Sequence, residues 1–307
     1  MHSHKHNELF RFKSRNEEVK VLIFVTGLTG NTGQEFLKHC LNEEIVTVSR
    51  KIQNFPDTII CEKGDLTDAV FVESLFQRYQ FKEIIHIANI RYTELLMSLA
   101  EKYHVPRVIA VHTTGIYSRY RSCNALYQEI ETRLFNQTFE HTSYVILRPT
   151  MIYGNERDHN MQKLIRFLNK VPAFPVFGQG EALMQPVHVE DLGQAIYSVY
   201  QRPDIRNAHF DLSGGSVLTY GEIVRFITKQ LGRNVFIVKI PYNMALFLIR
   251  LYNLTPKPII STEQVLRLQE HKSYSHAKAK KEFNYNPRSI EKGLKEEVQL
   301  LRSKGII

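Results

Sequence analysis

The run Val19-Lys20-Val21-Leu22-Ile23-Phe24-Val25 ends on Thr26-Gly27-Leu28-Thr29-Gly30-Asn31-Thr32-Gly33. Mostly apolar, β-branched residues without alternation read as a strand buried on both faces, the kind a parallel sheet requires. Beyond the last glycine, Phe36, Leu37 and Leu41 recur at helical spacing, so the glycines form the turn from strand to helix. In such a turn the first glycine permits the tight bend, the second lets the backbone approach a diphosphate, and the third lets helix pack on strand. The helix start beside it favours an anion. Gly27, Thr29, Gly30, Asn31, Thr32 and Gly33 are therefore candidate contacts for a dinucleotide; the competing reading is a plain turn.

The strand-helix alternation then repeats. Strands are predicted at 45–48, 58–61, 83–88, 107–112 and 144–147, and helices at 68–79, 92–104 and 124–140. This pattern predicts a Rossmann-like, doubly wound parallel α/β sheet. Past Pro149 the alternation breaks. A helix over 161–169 precedes VPAFPVFGQG, read as a proline- and glycine-punctuated loop. A short strand and helix over 185–200 and a strand over 208–212 rejoin the first domain, and the remainder from Ser213 reads as mostly helical. The expected organisation is a disordered arm over 1–17, an NAD(P)-binding domain over 18–150 completed by 186–212, and a smaller, mostly helical substrate lobe from 151–185 and 213–307. The one linker-like stretch is Leu254 to Pro258.

Composition narrows the partners. With 43% hydrophobic and 23% charged residues over 307 positions, the chain can bury a large core and is not of disordered composition. Its three cysteines, Cys40, Cys61 and Cys123, form no CxxC pair, which points away from a disulfide framework or a metal site and towards a reducing, cytoplasmic setting. His2, His4 and His6 lie in the arm, which lacks the apolar core of a secretory signal. The apolar stretch from Met244 to Leu251 falls well short of the roughly 20 residues that span a bilayer, so no transmembrane segment is expected. A membrane-surface anchor through Tyr242 to Tyr252 has only that stretch behind it. Lys and Arg outnumber Asp and Glu by 40 to 31, giving +9, but they are scattered; a phosphate-bearing small molecule fits this better than nucleic acid.

The second strand ends Thr47-Val48-Ser49-Arg50-Lys51, where an NAD site would place an acid to hold the ribose hydroxyls. Arg50, beside Ser49, can instead hydrogen-bond a 2′-phosphate and stack on adenine, so NADP is expected, with NAD possible. After the third strand come Gly64-Asp65-Leu66-Thr67-Asp68. Asp65 or the Leu66 backbone meets the adenine edge, or Asp65 is a helix-start acid as Asp68 more plainly is.

Further motifs are Ile84 to Ala88 (IIHIA), Val111 to Tyr117 (VHTTGIY), Tyr127, Leu147 to Gly154 (LRPTMIYG), Gln185 to Ile196 (QPVHVEDLGQAI), Phe210 to Gly215 (FDLSGG) and Phe283 to Leu294 (FNYNPRSIEKGL). With these the chain resembles, over nearly its whole length, the extended and atypical short-chain dehydrogenase/reductases, the NAD-dependent epimerase/dehydratase family that acts largely on nucleotide sugars. The resemblance implies Ala88 at the cofactor, Thr113 (or less well its neighbour Thr114) hydrogen-bonded to the reacting oxygen, and Tyr127 as acid/base and cofactor contact. It implies that Arg119, Asn155, Arg157 and Gln185 surround a cleft for a nucleotide-sugar-like substrate, with Arg121 close by. Arg148 and His188 read as structural, and Cys123 as a bystander. A homodimer through the 124–140 helix is a family expectation.

One departure stands out. The family's tyrosine is followed four residues later by lysine; here the segment is Tyr127-Gln128-Glu129-Ile130-Glu131. Tyrosine side chains ionise near pH 10, and a nearby negative charge makes phenolate scarcer, so a tyrosinate base is disfavoured. Tyr127 then donates a proton, or Glu131 is itself the base, or Glu131 is an ordinary helix-surface acid. The stretches 88–103 and 113–127 are short for an extended enzyme and match the atypical branch better. Two functions follow: an NAD(P)-dependent epimerase/dehydratase or reductase, and a non-catalytic NADP-binding sensor or assembly subunit.

Overall fold

The computed structural model describes residues 21–244, 246, 247 and 266–307. The arm with His2, His4 and His6, most of the Tyr242 to Tyr252 stretch, and the Leu254 to Pro258 linker lie outside the described residues, as do the side chains of Arg121 and Cys123. Strands β1 (Val21–Thr26), β2 (Ile45–Ser49), β3 (Ile59–Lys63), β4 (Gln80–His86), β5 (Arg107–Val111), β6 (Ser143–Pro149) and β11 (Ala208–Leu212) form one parallel sheet in the order β11-β6-β5-β4-β1-β2-β3. The chain leaves β1 towards β2 and β3, then crosses back to place β4 on its other side. That reversal opens a crevice at the carboxyl ends of β1 and β4, where an open α/β sheet binds its ligand.

The strands inside the sheet feed two cores because successive side chains point to opposite faces, whereas the edge strands β3 and β11 add buried apolar residues only to the first. From β1, Ile23 and Val25 join Phe36, Leu192, Ile196 and Phe283 under α1 (Asn31–Leu37), α6 (Val189–Tyr200) and α8 (Ala277–Phe283). Leu22 and Phe24 join Val72, Leu75, Leu96 and Leu134 under α2 (Ala69–Arg78), α3 (Thr93–Lys102) and α4 (Arg121–Asn136). Helix α4 stops at Asn136 rather than at the expected 140. Beyond it the Glu101 carboxylate accepts from the backbone N–H groups of Glu140, His141 and Thr142 at 2.8, 3.2 and 3.0 Å, which turns the chain into β6.

A third core, with Tyr153, Ile165, Ile223, Ile227, Leu294 and Val298, belongs to a smaller lobe of α5 (Met161–Leu168), α7 (Tyr220–Leu231) and α9 (Ile290–Ser303). Its short strand pairs are β7 (Ile152–Tyr153) with β10 (Val187–His188), β9 (Leu183–Met184) with β12 (Leu218–Thr219), and β8 (Ala173–Phe177) with β13 (Phe236–Ile240). The last pair corrects the reading of VPAFPVFGQG as loop. Pro175 hides the strand in the sequence, yet β8 pairs on only one side, where a missing N–H is tolerated. The lobe boundary is also less simple than expected: α8 lies beyond Ser213 but packs on the large sheet, its Phe283 edge-on to Phe210 with ring centroids 5.2 Å apart.

Candidate functional site

The crevice is fixed from below by two polar residues set in apolar strands. Thr26 of β1 and His86 of β4 stand in register, and the Thr26 hydroxyl lies 2.6 Å from His86 Nδ1. His86 Nε2 is 3.1 Å from the Asn89 carbonyl. A carbonyl only accepts, so the ring proton sits on Nε2, and Nδ1 accepts from Thr26. Complete burial, reinforced by His112, pushes His86 down to about 3, so it stays neutral and works as a cross-link that aims the Asn89 segment at the crevice.

Above it runs the glycine turn. Gly27 has a φ of +78°, and a Cβ there would lie 2.7 Å from the Ala88 backbone nitrogen. At Gly33 a Cβ would lie 2.3 Å from the Gly27 carbonyl oxygen, so this glycine lets α1 pack against the turn. Gly30 is different: a Cβ would meet only the Gly27 oxygen, at 3.2 Å, and otherwise fill open space. The turn thus has two glycines demanded by packing and one that keeps the backbone approachable, which fits a dinucleotide diphosphate.

Two hollows meet at this turn, sharing Gly27, Thr29, Ala88 and Asn89. The first, of about 880 Å³, runs over the ends of β2 and β3 and is walled by Ser49, Arg50, Lys51 and Gln53 opposite Asp65 and Leu66. The second, of about 550 Å³, holds Gly30, Asn31, Thr32 and Gly33 on one side and Asn155 and Arg157 on the other. Asp65 is the pivot of a local turn, accepting from the Thr67 backbone and hydroxyl at 2.9 Å each. Those bonds, with Arg50 in a lesser role, hold its carboxyl below the usual range. Asp68 caps α2 through the Phe71 N–H, as expected.

Thr113 and Tyr127 converge. Thr113 heads a 3₁₀ turn over Thr114–Tyr117 and accepts from the Gly115 N–H at 3.0 Å, leaving its own hydroxyl proton for a guest. A Cβ on Gly115 would meet Thr113 Oγ1 at 3.2 Å and Tyr127 Cε2 at 3.4 Å, so both side chains pack over this glycine. Thr114, by contrast, is buried and donates to the Pro149 carbonyl at 3.2 Å.

Glu131 is not a helix-surface acid. It is 2% exposed and turned inward, accepting from Arg148 Nε at 2.9 and 3.1 Å and from His112 at 2.9 Å. Burial raises such a carboxyl, but the bonds from His112 and Arg148 outweigh it and the group lies below its ordinary value. His112 is held down by burial, and its Nε2 meets the Thr93 hydroxyl at 3.0 Å. Arg148 also donates to the Tyr117 hydroxyl at 3.0 Å; that hydroxyl in turn donates to Asp211 at 3.0 Å. The position where the family places a cation is therefore tied into a chain that runs from buried Thr93 through His112, Glu131 and Arg148 to the surface at Tyr117 and Asp211. Arg148 is structural, as the sequence implied, and so is His188, whose ring Nδ1 caps α6 by accepting from the Glu190 N–H while its Nε2 would lie 2.2 Å from a Cβ on Gly154.

The four expected substrate contacts do not form one wall. Asn155 and Arg157 face the glycine turn across the second hollow. Arg119 is exposed, with its backbone N–H donated to Glu270 at 2.7 Å. Gln185 is buried, donating to the Gly214 carbonyl at 2.8 Å and accepting from the Tyr274 N–H at 3.0 Å, so its amide braces the lobe. Sequence reasoning missed His86, His112, Asn89 and Gln53. For the two histidines the signal was present, a polar ring inside IIHIA and another at the end of an apolar run; Asn89 and Gln53 sit in loops with no pattern to mark them.

The model of the NAD dependent epimerase/dehydratase family matches residues 23–212. The zebrafish (Danio rerio) protein short-chain dehydrogenase/reductase family 42E member 1 is 22% identical, over 84% of this chain and 81% of its own length. Among solved structures, UDP-glucose 4-epimerase of Thermotoga maritima with UDP-glucose superposes with a TM-score of 0.72 at 18% identity, covering 92% of this chain and 99% of the other. The dTDP-glucose 4,6-dehydratase of Bacillus anthracis with NAD gives 0.69 at 19%, covering 94% and 98%. At these identities the superpositions speak for the fold.

Proposed function

The chain belongs to the NAD-dependent epimerase/dehydratase family, and from that premise we propose that it binds NADP(H) across the glycine turn and exchanges hydride at a carbinol or carbonyl carbon held by Thr113 and Tyr127. The observation that carries the cofactor choice is the wall at the end of β2, where Ser49, Arg50 and Lys51 stand in place of a carboxylate; the hollow's one carboxylate, Asp65, lies across from it and is taken up by Thr67. Arg50 pairs with the 2′-phosphate, Asp65 and the Leu66 backbone meet the adenine edge, and Gly30 to Thr32 receive the diphosphate. Arg157, which lies beside the Glu156 carboxylate, closes on that diphosphate from the other side of the second hollow, with Asn155 next to it. When bound, the cofactor supplies or accepts the hydride. For the chain's own part, Thr113 orients the substrate oxygen by donating its free hydroxyl proton, and Tyr127 donates a proton to that oxygen in reduction. Positioned acids of this kind contribute about 10²–10⁴-fold.

UDP-glucose and UDP-glucuronic acid accompany two of the superposable structures, so a nucleotide sugar is the substrate class nearest in fold. A specific observation also supports the second function, a cofactor-binding sensor or assembly subunit. Glu131 spends both oxygens on Arg148 and His112, so no group at that position reaches towards the nicotinamide ribose. Following NADPH absorbance with nucleotide-sugar and neutral carbonyl substrates decides between them. Turnover that Tyr127→Phe lowers by about 10²-fold or more, with NADPH affinity unchanged, is the enzyme's result. Saturable binding without turnover is the sensor's.

A further inference from the structure

The smaller lobe contains a hollow of about 360 Å³ beside β8, lined by none of the candidate cofactor or substrate residues. Phe174, Phe177 and Tyr220 supply ring surfaces, and Leu268, Gln269 and His271 supply the facing wall from a strap of chain. Gly178, at a φ of +67°, stands where a Cβ would lie 3.8 Å from the Gln269 side-chain nitrogen, so the two walls stand near contact there. His271 Nδ1 accepts from the Leu183 N–H at 3.0 Å, which leaves the ring's proton on Nε2 as a donor.

Its charge is the informative feature. Among the described lining residues there is no lysine or arginine, and one carboxylate, Glu181. Of the cations next to it, Lys239 is bonded to Gln179 at 2.9 Å, and Arg267, one residue before Leu268, lies 3.9 Å from the Glu270 carboxylate. A nucleoside diphosphate entering here would shed water from two negative charges and meet another negative charge in place of a cation, and burying an unpaired charge is strongly unfavourable. Aromatic walls with amide and imidazole donors suit an uncharged molecule with a flat ring system and a carbonyl or hydroxyl edge.

The hollow adjoins the reacting end. The strap's 3₁₀ turn, Arg267–Gln269, is followed by Glu270, whose carboxylate accepts from Ser118 Oγ at 3.0 Å and from the Arg119 N–H at 2.7 Å, on the loop just beyond the Thr113 turn. Leu268, Gln269 and His271 thus touch the hollow while Glu270 between them holds the loop.

We infer that this hollow binds an uncharged, ring-bearing carbonyl or hydroxyl compound and not a nucleotide diphosphate. Naming that compound the substrate rests on the proposed function; the binding itself does not. The full-length protein saturated with NADPH is titrated with the neutral naphthyl ketone fluorophore prodan, and with UDP-glucose as competitor. Expected are a saturable blue shift, no displacement by UDP-glucose, and at least tenfold weaker binding in Leu268→Arg. Leu268 is 43% exposed, so the variant keeps the fold; Val70→Ser, at an exposed apolar position of α2 away from the hollow, should bind like the parent. Absence of saturable binding, unchanged binding in Leu268→Arg, or displacement by UDP-glucose would each overturn the inference. NADPH binding, read separately by its own fluorescence, reports on the cofactor reading.

Discussion

Removing the Glu131 carboxylate would leave the buried Arg148 guanidinium with the neutral Tyr117 hydroxyl and Asp211 at 3.6 Å. Breaking a buried pair from one side costs about 3–5 kcal/mol, so Glu131→Gln should lower Tm markedly. Glu131→Lys, which restores the family's residue type, sets two cations against each other and is expected to unfold the domain; gain of turnover in that variant would contradict the account. The pH dependence has a definite sign. Glu131 sits below its ordinary value in the fold, so its stabilisation is complete above about pH 4.3, the ordinary glutamate value, and is lost as pH falls through the lower folded value. The Tm gap between parent and Glu131→Gln should be constant near neutrality and close on acidification. Of this network the sequence disclosed the anomaly and not its resolution. A carboxylate four residues after Tyr127 is visible in one dimension, but its partners are Arg148 of β6 and His112 just past β5, and only the fold brings them to it.

The glycine turn makes a sharper claim about an element. Gly30→Ala brings its methyl group to 3.2 Å from the Gly27 oxygen with open space on its other sides, so it should lower Tm far less than Gly33→Ala while weakening cofactor binding. Gly33→Ala drives its methyl group into the Gly27 carbonyl and should lower Tm, measurable in the cofactor-free protein. Equal effects of the two variants on Tm would mean that the turn is only a packing device. A second element-level test lies at the joint of α5 and α9. Glu297 is fully buried, and burial, followed by the charge of the neighbouring Asp158 and a hydrogen bond to it, pushes it up to about 9. A carboxyl raised in the fold loses its favourable contribution as pH climbs from the ordinary glutamate range towards that value. Glu297→Gln should therefore raise Tm at pH 8 and flatten the alkaline decline. Elements with a clean period, the 161–168 helix and the strand at 208–212, were legible in the sequence nearly to the residue, whereas α1 ends at Leu37 and leaves Leu41, read as part of its apolar face, exposed. The β8–β13 pair was not legible, because Pro175 and the surrounding glycines imitate a loop and the partner strand lies some 60 residues away.

Across the whole molecule, the sheet reversal between β1 and β4 sets the crevice at the glycine turn beside a lobe whose own hollow has no lysine or arginine among its described lining residues. Among the described residues no helix is long and apolar enough to cross a membrane. Binding to the folded form alone raises stability by about 2.7 kcal/mol when ligand stands at 100 times Kd, so the true cofactor should shift Tm clearly. The cofactor's phosphate count is where the account is most exposed. Charge-assisted hydrogen bonds contribute about 1.5–3 kcal/mol, so losing Arg50 should cost NADPH at least about tenfold in affinity and NADH little. Calorimetric titration of the parent protein and Arg50→Ala with NADPH and with NADH measures this directly. The expected result is tighter binding of NADPH by the parent and a near-equal affinity for both in the variant. No heat with either nucleotide, or a preference for NADH in the parent, would contradict it.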